Sequence, residues 1–193
     1  MVDRKRHTVK LPDVDIDLAD RFQLLEIVPH VVAVQIIDDR RRSHNSGIYL
    51  QKLPSDLNNL ASLDYKTAEL RQYFKFDLLN NSAYKIFDSK DELDDMSQRE
   101  PDWSLFQNAD IVAQLPHVHD HLHILEKLKP RSVEQLAAVL AIIRPGKRYL
   151  LNSDWATIDN EVWIRVEDQY SFKKSHAMAY AILIVAVLNK LTS

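Results

Sequence analysis

Between Val9 and Leu18 the chain alternates. Val9, Leu11, Val14, Ile16 and Leu18 are apolar, and Asp13, Asp15 and Asp17 lie on the intervening positions of the same stretch. A period of two predicts a half-buried strand with its carboxylates on the other face. Ala19–Ile27 has the spacing of a short helix closed by Pro29. Val31–Ile37 is rich in β-branched residues and predicts a second strand. Asp38–Ser46 reads as a polar connection carrying Arg40, Arg41 and Arg42, and Gly47–Leu53 as a third strand ended by Pro54. Thr67–Gln72 predicts a helix, and Tyr73–Leu78 a short aromatic strand.

Beyond Asn80 the apolar spacing becomes helical, over Ser82–Phe87, Lys90–Met96, His117–Leu128, Ser132–Ile143 and Ser175–Leu191. Ser132 with Gln135 three residues on forms a capping box. The fold class is therefore α+β: one compact domain with a strand-rich part over 1–80 and a helical part over 81–193. The longest apolar run, Ala177–Leu188, falls short of the ~20 residues that span a bilayer, so it predicts a buried helix. The charged start at Met1 lacks the apolar stretch of a signal peptide, and cysteine is absent, so the expected compartment is cytoplasmic.

Composition narrows the chemistry. Gly47 and Gly146 are the chain's two glycines, too few for a Walker phosphate loop or a dinucleotide GxGxxG turn. A net charge of -3 leaves nucleic-acid binding to local basic clusters. On one strand the Cα atoms of Asp13 and Asp15 would lie ~6.5–7 Å apart. Parallel carboxylates at that spacing either face solvent as an acidic edge strand or hold a hard cation such as Mg²⁺.

Several segments in one order carry a resemblance. Lys10-Leu-Pro-Asp-Val-Asp-Ile-Asp-Leu-Ala-Asp-Arg resembles the catalytic palm motif of the C-family bacterial replicative DNA polymerases, the alpha subunit of DNA polymerase III. Ser43-His-Asn-Ser-Gly-Ile-Tyr-Leu is similar to that family's KHAxGVVI segment, and Phe74-Lys-Phe-Asp-Leu-Leu to its KFDFLGL stretch. Leu105-Phe-Gln, then Leu128-Lys-Pro through Ile143-Arg-Pro-Gly, and finally Tyr170-Ser-Phe-Lys-Lys-Ser-His-Ala-Met-Ala-Tyr-Ala resemble three further family segments. The resemblance implies a nucleotidyltransferase-type palm and helical fingers. It implies Asp13, Asp15 and Asp77 as catalytic ligands of two Mg²⁺ or Mn²⁺ ions, with Asp17 an acidic neighbour. It also implies nucleotide or DNA contacts at Lys75, Arg41, Arg42, His44, Arg144, Lys147, Lys173, Lys174 and His176. Primer-template DNA and a nucleoside triphosphate are the implied partners.

The departures are large. The family's Gly-Ser-rich nucleotide loop, its longer fingers insert and its other domains have no counterpart here, so a reduced palm-and-fingers core is expected. Two alternatives stand beside an active transferase: an incomplete palm serving as a DNA-binding or polymerase-associated accessory protein, or one half of a split polymerase completed by a second chain. Tyr180 and Phe172 are candidates to stack a base or to fill the core. His117, His119, His121 and His123 make i,i+4 pairs if helical, a zinc-like spacing or a polar helix face.

Overall fold

Alternation of Asp15 and Asp17 with Val14, Ile16 and Leu18 produces strand β1 (Val14–Leu18). The computed structural model describes residues 14–165 and 172–193, so the Val9–Asp13 part of the expected strand lies outside the described residues. Asp20 caps helix α1 (Arg21–Ile27) by accepting from Phe22 N–H. The β-branched run gives β2 (Val31–Ile37).

The expected polar connection after β2 is instead a tight hairpin. Asp38 and Asp39 both adopt positive φ, 50° and 58°, and β3 (Arg40–Tyr49) starts at once. Two successive left-handed residues make the turn whose twist matches paired strands, and aspartate tolerates that conformation. Arg40, Arg41 and Arg42 are therefore strand residues opposite Ile37, Ile36 and Gln35.

β4 (Leu60–Asp64), which the sequence pattern did not reveal, leads into α2 (Tyr65–Leu70), capped by Asp64. The aromatic strand is β5 (Phe76–Asn80), shifted a few residues later than its pattern suggested. The sheet order is β1-β5-β3-β2-β4, with β1–β5 and β2–β4 parallel and the two inner pairs antiparallel. Ala33, Val34, Tyr49, Leu53, Ala61 and Ala68 form its core. Small residues on β2, β4 and α2 let that helix lie close to the sheet.

The chain divides into two compact units, Met1–Lys85 and Ile86–Ser193, a few residues past the expected change of character. The second unit is helical: α3 (Lys90–Gln98), α4 (Ala109–Val112), α5 (Leu122–Leu128), α6 (Val133–Ile142), α7 (Trp155–Glu161) and α8 (Lys174–Leu191). Tighter 3₁₀ turns cover Trp103–Gln107 and Pro145–Asn152. Ser132 caps α6 by accepting from Gln135 N–H at 3.2 Å, as the capping pattern requires. The glutamine side chain returns to Arg131 N–H rather than to the cap residue itself.

Helix α6 buries every residue from Leu136 to Ile142, and α8 packs against it and against α3. Full burial of each leucine or isoleucine there contributes ~1.5–3 kcal/mol relative to exposure. Among the described residues no helix is long and apolar enough to cross a membrane. Of the expected helix His117–Leu128, only Leu122–Leu128 is helical. His117 adopts φ 64° and α5 begins only at Leu122.

Candidate active site

The parallel pairing of β1 with β5 places Asp15 directly opposite Asp77. Register partners in a parallel pair share a face, on strands ~4.8 Å apart. Carboxylates on paired strand positions repel by roughly a few kcal/mol at the effective dielectric of a protein surface, which favours a cation between them. Asp77 is only 7% exposed, which strengthens that demand.

A bulge in β3 supplies its surroundings. β2 pairs Val32 with Ile48 and Val34 with Ser43, so Ala33 alone faces the four residues His44–Gly47. Extra residues on one strand bend it and re-aim its side chains. Here Ser46 Oγ donates to Asp77 Oδ1 at 2.7 Å. The ring of His44 folds back, its Nδ1 accepting from Gly47 N–H at 2.9 Å and Ser46 N–H at 3.3 Å. That nitrogen is 3.6 Å from Asp77 Oδ1. An Nδ1 that accepts backbone N–H has no proton for the carboxylate, so the contact is not an ion pair and the imidazole is neutral, protonated on Nε2. Burial pushes the His44 pKa down, as does the Lys75 ammonium, against an opposing pull from Asp77.

Positive charge comes from Lys75, whose Nζ forms an ion pair with Asp77 Oδ2. Lys75 lies two residues before Asp77, just ahead of β5, and reaches the carboxylate expected of it from sequence. Gly47, opposite Asp77, leaves room for this arrangement. A Cβ there would sit 2.9 Å from His44 Nδ1, 2.9 Å from Lys75 Cδ and 3.1 Å from Ala33 Cβ. Tyr65 on α2 packs edge-on to His44, with ring centroids 5.4 Å apart. Tyr49, two residues beyond Gly47, is fully buried, and its hydroxyl has no partner among the described residues. Burial, with the carboxylates of Asp64, Asp77 and Glu69 after it, pushes its pKa up to about 12.

The structure thus brings Asp15, Asp77, Lys75 and His44 together, while Asp13 lies outside the described residues. Ser46 and Gly47 complete the group. Both sit in the segment singled out from sequence, but their roles depend on a bulge that no residue pattern announces. The chemistry of the cluster fits a hard divalent cation, since its donors are carboxylate and hydroxyl oxygens. Among the described residues no group of three or more His, Asp or Glu is placed to hold a metal; of the three expected ligands, the described residues include Asp15 and Asp77.

The remaining basic candidates sort differently. Arg41 donates Nη2 to the Ala61 carbonyl at 2.7 Å, and Arg42 is exposed on the hairpin. Lys147, expected at a phosphate, is instead 1% exposed and donates Nζ to the Glu161 carbonyl at 2.7 Å. Its role there is structural, and burial lowers its pKa. In the helical unit Arg144 lies 5.2 Å above the Phe172 ring, Lys174 Nζ lies 5.8 Å from the Trp163 ring, and His176 meets Phe172 edge-on. Lys173 is exposed just before α8.

Phe172 and Tyr180 stack on each other, and Tyr180 also stacks on His117 at 4.4 Å. These rings pack against protein rather than standing ready for a base. Nor do the histidines form helical i,i+4 pairs, because the turn at His117 precedes the helix; His119 pairs with Asp120 at 3.0 Å instead. Compared with known proteins, the chain matches no family model and no curated protein.

Proposed function

We propose that the strand-rich unit is a palm-like nucleotidyltransferase centre related to that of the C-family DNA polymerases, with Asp15 and Asp77 as metal ligands and Asp13 as the third. The observation that supports this reading most is the register pairing of Asp15 with Asp77 between edge strand β1 and its neighbour β5. The substrates on this reading are a nucleoside triphosphate and primer-template DNA. When bound, two Mg²⁺ or Mn²⁺ ions would lower the pKa of the attacking 3′-hydroxyl and neutralise the triphosphate.

The chain's own residues do the positioning. Ser46 fixes one oxygen of Asp77, which sets the carboxylate's orientation. Lys75 holds positive charge on the carboxylate face, where a phosphate would arrive. His44 keeps its Nδ1 on the backbone, so only its Nε2–H is left to donate to a ligand.

One observation favours a second reading, an incomplete centre kept as an accessory protein or completed by another chain. Both oxygens of Asp77 are already engaged, by Ser46 and Lys75. Incorporation of labelled deoxynucleotide onto a primed template, with Mg²⁺ or Mn²⁺, separates the two. The transferase reading expects incorporation that Asp15→Asn and Asp77→Asn both abolish. Metal-dependent stabilisation without incorporation would favour the accessory or split form.

A further inference from the structure

We infer that Lys75 is a tethered counter-cation that occupies the carboxylate pair until a divalent ion arrives with an anionic ligand able to take the released ammonium. The inference rests on the metal-centre reading above and concerns how that centre is loaded. Asp77 is buried, its partner Asp15 adds a second negative charge, and the cation in contact with it is the Lys75 ammonium. His44 cannot share that task, because its Nδ1 accepts two backbone N–H groups.

The path of the lysine is built into the fold. Its Cδ passes so close to β3 that any side chain at Gly47 would meet it at 2.9 Å. The Lys75 side chain is 18% exposed, so it is largely withdrawn from water. A divalent ion approaching Asp77 must therefore displace a cation already in contact with it. Like charges at that distance in a partly buried site exclude one another strongly. A bare metal ion would bind weakly on these terms. A metal–polyphosphate complex would bind better, since its phosphate oxygens accept the displaced ammonium. The ligand class favoured is a metal-bound di- or triphosphate rather than the free ion.

The test uses the whole chain. Mn²⁺ binding is followed by the electron paramagnetic resonance of free Mn²⁺ in the parent, Lys75→Met and Lys75→Gln; glutamine keeps a hydrogen-bond donor should methionine impair folding. Both variants should bind Mn²⁺ about tenfold or more tightly than the parent. In the parent, acylation of Lys75 read by mass spectrometry should be slow without metal and rise when Mg²⁺ and tripolyphosphate are added together. A lysine that stays on Asp77 throughout would show no rise in acylation with Mg²⁺ and tripolyphosphate. Binding by the variants that is equal to or weaker than the parent's, or an acylation rate that ignores metal and tripolyphosphate, overturns the inference and leaves the metal centre intact. No Mn²⁺ binding in the parent or either variant, with or without tripolyphosphate, removes the metal centre and this inference with it.

Discussion

Gly47→Ala tests the packing on which the site depends. No glycine of the described residues has positive φ, so alanine meets no backbone barrier at this position. Restricting the unfolded chain would by itself stabilise by ~0.4–1 kcal/mol. Against that, the new methyl would lie 2.9 Å from His44 Nδ1 and from Lys75 Cδ. The first is a ring atom held by backbone N–H groups, and the second is the middle of a stem whose end is fixed on Asp77. Overpacking of this kind costs ~1–3 kcal/mol, and each hydrogen bond lost from the imidazole ~0.5–1.5 kcal/mol. The net expectation is a loss of ~2–3 kcal/mol, or ~8–24 °C in the melting temperature of the strand-rich unit, Met1–Lys85, unfolding on its own.

The assay is urea and thermal unfolding followed by circular dichroism. All three tryptophans, Trp103, Trp155 and Trp163, belong to the helical unit, so their fluorescence would miss this change. A cycle with His44→Ala identifies the cause. Once the ring is gone the alanine should be tolerated, so the two penalties should fall short of additivity by ~1 kcal/mol or more. Gly47→Ala within ~0.5 kcal/mol of the parent, or full additivity with His44→Ala, would refute the packing argument.

Tyr49→Phe should leave stability at neutral pH unchanged or higher, because it removes a buried hydroxyl that has no partner among the described residues. The parent's Tyr49 stays protonated to about 12 while an unfolded tyrosine ionises near 10. The folded state thus holds the extra proton in that window, and stability should fall as pH rises through it; urea midpoints should show that the phenylalanine variant lacks this component. Asn189→Ala on α8 should cost ~2–3 kcal/mol in thermal unfolding, because Nδ2 donates to the Met96 and Arg99 carbonyls at the end of α3 at 2.8 and 3.0 Å. His44, His117 and His121 all have pKa values lowered first by burial. The unfolded chain therefore binds more protons below pH ~6.5 and stability should fall as pH drops through that range; NMR titration placing these imidazoles at or above 6.5 would contradict it.

Much of the fold was legible where its signals are local. The β-branched run 31–37 became β2 without change, and Ser132 capped its helix where the pattern put it. Lys75 reaches Asp77 as the alternation suggested, although it lies one residue ahead of β5. What was hidden depends on contacts distant in sequence. Leu60–Asp64 has no β-branched residue and becomes a strand through pairing with β2. The β3 bulge that turns Ser46 and His44 toward Asp77 leaves no compositional trace. Lys147 reads as a surface cation until the Glu161 carbonyl and the surrounding helices bury it. His117 carries good helical spacing, yet the turn after Pro116 takes the ring to Tyr180.

The central claim is that Asp15 and Asp77 form a metal-binding pair. Crystals of the whole chain equilibrated with Mn²⁺ and tripolyphosphate, and measured for anomalous scattering from manganese, test it most directly. A metal-binding pair gives a manganese peak in contact with both carboxylates, with Lys75 Nζ moved off Asp77. A map with no manganese at the pair, and Lys75 still on Asp77 with both ligands supplied, would contradict it.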